Sequence, residues 1–199
     1  MMQLWRGVPT NAAALAVLFV GLAIGLIGII RVSRGQDAEQ QKGGEKAGSS
    51  KLGILVQALG FALASGPVAV TTGFSEGLAA PRTWLVLLLI GASLWLVLSA
   101  FRVMGEEWAL VARTREAHRL VTNGPFALVR NPIYLGLLLY LGGMAVALGY
   151  ERHLPFALVA FAVGTAIRVQ AEERLLRARF GGAYDAYAAR VKRIIPGLI

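Results

Sequence analysis

Ala12-Ala-Ala-Leu-Ala-Val-Leu-Phe-Val-Gly-Leu-Ala-Ile-Gly-Leu-Ile-Gly-Ile-Ile30 runs without a charged residue. It reaches the roughly 20 apolar residues that a helix needs to cross the hydrocarbon core of a bilayer. A cleaved signal peptide competes with that reading, but the run is long and Arg6 is the one basic residue before it, so a retained helix is expected. Composition agrees: 56% of the 199 residues are hydrophobic, 16% are charged, and the mean hydropathy is +0.62, which describes a polytopic membrane protein. There is no Cys, so disulfides, thiolate metal sites and Cys nucleophiles are excluded, and no metal site is expected.

Four further apolar runs follow. Leu52 to Val70 is a second uncharged span, reached through a low-complexity stretch from Ser33 to Ser50 that has too little apolar surface to offset its ordering entropy. The turn from Thr71 to Arg82 leads to a third span, Thr83 to Phe101, with Trp84 at its interface end. Arg102 to Asn131 mixes charges with isolated apolar positions and reads as an interfacial helix and turn. The fourth span, Ile133 to Leu148, is short and has Pro132 in its first turn, where the missing N–H is not needed. A short turn, Gly149 to His153, makes it a hairpin with the fifth span, Leu154 to about Ile167, which continues as a polar helix through Arg179. Gly21 and Gly25, four apart, allow another backbone to approach closely, from the same chain or from a second copy.

The basic residues sort by loop. Arg31 to Lys51 holds five Lys or Arg, Arg102 to Arg130 five and Arg168 to Arg193 seven, which is 17 of the 20; Arg6, Arg82 and Arg152 make up the rest. With five spans the 17 share one side, so the positive-inside rule predicts an outside N-terminus and a cytoplasmic C-terminus. The net charge of +9 is therefore read as cytoplasmic loops and contact with anionic headgroups, not nucleic-acid binding.

Motif residues gather at that cytoplasmic side. They are Leu120-Val-Thr-Asn-Gly-Pro-Phe-Ala-Leu-Val-Arg130-Asn131-Pro132-Ile133-Tyr134-Leu135-Gly136, the pair Glu172-Glu173, and the tail Phe180-Gly-Gly-Ala-Tyr184-Asp-Ala-Tyr187-Ala-Ala-Arg190-Val-Lys-Arg-Ile-Ile-Pro196. Together, over roughly residues 100 to 197, they resemble the isoprenylcysteine carboxyl methyltransferase and phospholipid methyltransferase family of membrane enzymes. Its pattern is Gly-Pro-Tyr/Phe, then Arg-His-Pro-x-Tyr-x-Gly, then Glu-Glu, then Phe-Gly-x-x-Tyr-x-x-Tyr. The resemblance implies an all-α membrane protein of about five transmembrane helices. Residues 1–101 would form the N-terminal helices, and residues 102–199 the catalytic region with a cytoplasmic-side pocket.

The implied activity is transfer of a methyl group from S-adenosylmethionine to a hydrophobic membrane-resident acceptor, such as a prenylated carboxylate or a phospholipid amine. The implied partners are that lipophile and membrane lipids, with the chain acting as a monomer. Aligning two bound reactants supplies much of the barrier reduction for such an in-line displacement. Glu172 and Glu173 match the family pair that would accept the donor's amino group. Arg168, one helical turn earlier, would orient an acceptor carboxylate through its fork of donors, so Arg168 and Glu173 are the expected catalytic residues. The other residues expected around the cofactor are His118, Val121, Gly124, Arg130, Asn131, Pro132, Tyr134, Gly136 and Tyr187, with Tyr184 beside Tyr187 in a lid. Asn131 replaces the family's His and cannot titrate near neutrality, which argues against a proton shuttle at that position.

Each residue also has a plainer reading: Arg168 with Glu172 as an i,i+4 surface pair, Tyr134 as an interface anchor, the two tyrosines as tail packing. Two other functions share the pattern, a membrane NADPH-dependent reductase, since sterol reductases have a similar Arg-x-Pro-x-Tyr, and a non-enzymatic membrane module on the same scaffold. The adjacent glutamates favour the methyltransferase. No Rossmann-type Gly-x-Gly-x-x-Gly follows a strand, so a soluble methyltransferase fold is excluded.

Overall fold

A computed structural model describes residues 7–34, 45–46, 49–104, 113–114 and 120–198. Helices dominate: α1 (Ala12–Arg34), α2 (Ser49–Leu63), α3 (Phe74–Ala79), α4 (Pro81–Met104), α5 (Pro132–Leu148), α6 (Leu154–Phe180) and α7 (Gly182–Arg190). Short strand pairs join loop segments. β1 (Thr10–Asn11) runs parallel to β3 (Val70–Thr72), and β2 (Glu45–Lys46) antiparallel to β4 (Arg113–Thr114). The fold is that of an all-α polytopic membrane protein. Among the described residues three stretches are long and apolar enough to cross a membrane, Ala12–Arg31, Pro81–Met104 and Glu151–Phe180, and two apolar helices are shorter, Lys51–Leu63 and Pro132–Leu148.

Glycines set how the helices meet. A Cβ added at Gly21 or Gly28 would run into Ile90 or Leu98 of α4, and Gly25 lies against Leu94. Lipid gives no bulk hydrophobic drive between helices, so such close approach is a main source of packing. The glycine face of α1 is therefore covered within the same chain. In the same way Gly136 and Gly143 of α5 meet Val97 and Ile90 of α4, and Gly53, Gly60 and Gly164 bring α2 against α6. Gln57 and Thr165 share a buried hydrogen bond of 2.8 Å across that last seam.

One expected boundary is wrong. The second span was expected to reach Val70, yet α2 ends at Leu63. Ser65-Gly66-Pro67 explains this, because the residue before a proline is disfavoured from the helical region and proline cannot supply the next N–H. The freed Pro67 carbonyl accepts the Tyr150 hydroxyl at 3.1 Å. At 15 residues, α2 is about 22 Å long, less than the hydrocarbon thickness. The expected interfacial helix in 102–131 falls largely outside the described residues; inside them, that segment shows the end of α4, β4 and one 3-10 turn, Gly124–Ala127.

The end of the bundle opposite the motif is tied by polar contacts. Asn11 Oδ1 accepts the Ala14 N–H at 2.8 Å and caps α1, and Thr10 donates to the Ala147 carbonyl at 2.8 Å. Arg82 spans the Val146 carbonyl and Glu151, each at 2.7 Å. Helix α5 stops at Gly149, whose φ of 81° lets the Tyr150 N–H reach the Ala145 carbonyl at 2.7 Å. A Cβ at Gly149 would also strike the Val8 carbonyl. Gly149→Ala is therefore expected to cost at least the 1 to 2 kcal/mol, roughly, of a left-handed residue. Its thermal midpoint in detergent should fall clearly below that of Gly142→Ala, where the nearest atom is 3.8 Å from the added carbon.

Candidate active site

Residues 120–136 form a bracket between α4 and α5. Gly124 takes φ 60° to start the 3-10 turn, and an added Cβ would lie 2.9 Å from Val103. Pro125 and Val129 are buried beneath the turn. The tail then lies along the bracket like a strand: the Arg130 N–H bonds the Lys192 carbonyl at 2.7 Å, and the Asn131 N–H and Nδ2 both bond the Arg193 carbonyl at 3.0 Å. Asn131 thus spends its side chain on the tail.

Arg130 does the same with its guanidinium. Its Nη1 donates to the Ala188 and Val191 carbonyls at 2.8 and 2.7 Å, satisfying groups at the end of α7. Its Nε and Nη2 face Glu173 Oε1 at 3.2 and 3.1 Å. Arg193 grips the same carboxylate with Nε at 3.2 Å and Nη2 at 2.9 Å, and Arg177 Nη1 stands 3.7 Å away. Glu173, 2% exposed, is the buried anion around which the bracket, α6 and the tail are clasped.

The tail tyrosines close the same corner. Tyr187 donates to the Phe126 carbonyl at 2.6 Å and meets Tyr184 edge-on, ring centres 6.1 Å apart. Burial pushes the Tyr187 phenol up to about 12 and that of Tyr184 up as well, so at neutral pH both are protonated and Tyr187 remains a donor. Tyr187→Phe should leave the Phe126 carbonyl short of its partner and cost about 1 to 3 kcal/mol. A drop in thermal midpoint with no change in secondary structure checks this.

Glu172 points elsewhere. Successive helical residues lie about 100° apart, so when Glu173 faces the tail its neighbour faces α5. There Tyr134 donates to Glu172 Oε1 at 2.5 Å and accepts from Arg168 Nε at 2.6 Å, while Arg168 Nη2 lies 3.4 Å from Glu172. Arg168 is 8% exposed, whereas a quarter of the Glu172 side chain is open. A cavity of about 620 Å³ lies between α5, α6 and the tail, on the side of the Glu173 clasp; Tyr134, Arg168 and Glu172 do not line it. Leu138, Phe161 and Val169 give it apolar walls, and Arg130 and Arg193 stand at its tail end.

The expected site residues thus divide. Tyr134, Arg168 and Glu172 come together in one cluster, and Arg130, Asn131, Glu173 and Tyr187 in the clasp beside it. Pro132 is buried at the first turn of α5, Gly136 serves the contact with α4, and Val121 is half-buried. His118 lies outside the described residues. Arg193 and Arg177 were not singled out in the sequence, and Arg177, an i,i+4 partner of Glu173, was the more findable of the two.

The phospholipid methyltransferase family profile matches residues 81–183, from the start of α4 through Glu172 and Glu173. The chain belongs to this family. Among curated proteins, the phospholipid methyltransferase family member described here is similar to protein-S-isoprenylcysteine O-methyltransferase B of Arabidopsis thaliana. Identity is 38% over 88 residues, 42% of this chain and 43% of that protein. The protein-S-isoprenylcysteine O-methyltransferase of Schizosaccharomyces pombe is 33% identical over 101 residues, 49% of this chain and 42% of the relative. A probable protein-S-isoprenylcysteine O-methyltransferase of Oryza sativa subsp. indica is 34% identical over 85 residues, covering 41% and 42%. The matched stretch thus spans about two fifths of the length of each relative. With its apolar helices, family membership makes the chain an integral membrane protein.

Proposed function

We propose that this protein transfers a methyl group from S-adenosylmethionine to a hydrophobic acceptor resident in the membrane, most readily a carboxylate of the isoprenylcysteine type. The observation that carries the reading is the Arg168–Tyr134–Glu172 cluster, a buried cation tied through one hydroxyl to a carboxylate that is a quarter open, in a chain whose relatives carry that activity in their names. Residues 102–199 form the catalytic part, acting in a monomer, with the N-terminus outside and the C-terminus cytoplasmic; the sorting of 17 basic residues supports that orientation.

The donor has an ammonium group to be met, and the two glutamates differ in fitness for it. Glu173 is already gripped by Arg130 and Arg193, so an ammonium would have to displace a guanidinium. Glu172 is open on one side and held in place by Tyr134. We therefore assign the ammonium to Glu172 and give Glu173, expected from sequence to be catalytic, a positioning role. When bound, the donor supplies an electrophilic methyl carbon and a neutral thioether leaving group, so the chain must supply orientation and charge but no general base. Arg168 is assigned the acceptor carboxylate, which the planar fork of a guanidinium fits bidentately. Tyr134 fixes both charged groups through one hydroxyl, and the Gly124 turn with Tyr187 walls the site from the cytosol.

Calorimetry on the purified protein separates this from the reductase reading. Binding of S-adenosylmethionine and S-adenosylhomocysteine with no response to NADPH is expected. Binding of NADPH with no response to either sulfur compound would overturn the proposal.

A further inference from the structure

We infer that Gly53 of α2, far from the matched segment in sequence, is a positioning residue that sets where the Arg168 guanidinium stands. Arg168 is a long side chain with about 2 kcal/mol of rotamer freedom to lose, and it is buried where α2 crosses α6. Tyr134 and Glu172 hold its polar end, while its stem needs a wall. Gly53 is that wall: an added Cβ would overlap Arg168 Cγ, approach Cδ to 3.4 Å and stand 2.8 Å from the Gly164 carbonyl. The first of these is near the root of the side chain, where a shift swings the whole guanidinium.

The seam is built around this contact from both sides. A Cβ on Gly164 would lie 2.6 Å from the Gln57 nitrogen and 2.7 Å from the Gly53 carbonyl, so the two backbones are in mutual contact one turn from Arg168. Gln57 and Thr165 then lock the register with their 2.8 Å hydrogen bond. Gly60 offers an internal comparison. It meets the Ala157 carbonyl at 2.9 Å and Phe161, an equally tight approach of the same two helices about 10 Å further along α2, with no catalytic side chain nearby. Helix α2 lies outside residues 81–183, so the site draws on a part of the chain that the family match does not reach.

The test is a double-mutant cycle on thermal unfolding in one detergent. Gly53→Ala should lower the midpoint in the parent protein and lower it markedly less in an Arg168→Ala background, where the Cγ it strikes is gone. Gly60→Ala should cost the same in both backgrounds, since sites about 10 Å apart with no shared partner add. If Gly53→Ala yields no folded protein, recovery of a folded Gly53→Ala/Arg168→Ala double variant carries the same conclusion. Equal midpoint losses for Gly53→Ala in both backgrounds would overturn the inference, as would loss of both Gly53→Ala proteins while Gly60→Ala folds.

The catalytic half rests on the proposed methyl transfer and has a separate readout. Gly53→Ala should reduce turnover at least tenfold with donor affinity within about twofold of the parent, and Gly60→Ala should leave turnover alone at a matched loss of midpoint. A parent protein that binds no donor sinks the functional reading while the unfolding cycle still decides the Gly53–Arg168 contact.

Discussion

Replacing Glu173 by Gln is expected to cost about 3 kcal/mol of stability, the lower range for breaking a buried ion pair by removing one partner. Arg130, 10% exposed at its side chain, would keep its charge with no buried anion to meet. Arg193 and Arg177 are nearly half exposed and would turn to water, which is why the upper end of that range is not expected. For a chain of this size the midpoint should fall by roughly 6 to 12 °C. Donor affinity measured below that midpoint should change by less than about threefold. A 10- to 150-fold loss of affinity with an unchanged midpoint would instead return the donor's ammonium to Glu173 and dissolve the clasp.

The second large effect separates the two ends of the Arg168–Tyr134–Glu172 cluster. Glu172→Gln removes the charge assigned to the ammonium, a loss of roughly 1.5 to 3 kcal/mol for a charge-assisted hydrogen bond, so donor affinity should weaken about 10- to 150-fold. Arg168→Leu removes the cation assigned to the acceptor. It should lower turnover by about 10² to 10³, the range seen when one preorganised electrostatic group is lost, with donor affinity nearly unchanged. Calorimetry for the donor and single-turnover rates for the reaction read the two quantities independently. Two variants that lost stability equally and kept donor affinity would make the cluster a structural ion-pair turn.

Helices α1, α4, α5 and α6 were legible because uncharged runs bounded by Gly, Pro and charges carry their own ends. The far half of the second span was not, because hydropathy weighs side chains and is blind to what Ser65-Gly66-Pro67 does to backbone hydrogen bonding. Glu172 and Glu173 stood out as a pair, and the helical period already implied that neighbours face different ways. Their partners could not be read in advance: Tyr134 lies 38 residues from Glu172 and Arg193 lies 20 from Glu173, and the bracket's contact with the tail is what brings them in. Arg130 and Asn131 were legible as motif residues, but not that their polar atoms serve the tail. The glycine seam between α2 and α6 was equally hidden, since Gly53 and Gly164 become partners through a helix crossing that no local pattern announces.

The central claim is methyl transfer to a lipophilic carboxylate. Protein reconstituted in liposomes, given methyl-labelled S-adenosylmethionine and a prenylated cysteine with a free carboxylate, tests it most directly. The account predicts label in the lipid-soluble product, released as methanol by mild base as an ester requires, and formed about 10² to 10³ times more slowly by Arg168→Leu. Label that resists base, or no label in the lipid fraction at saturating donor, would contradict it.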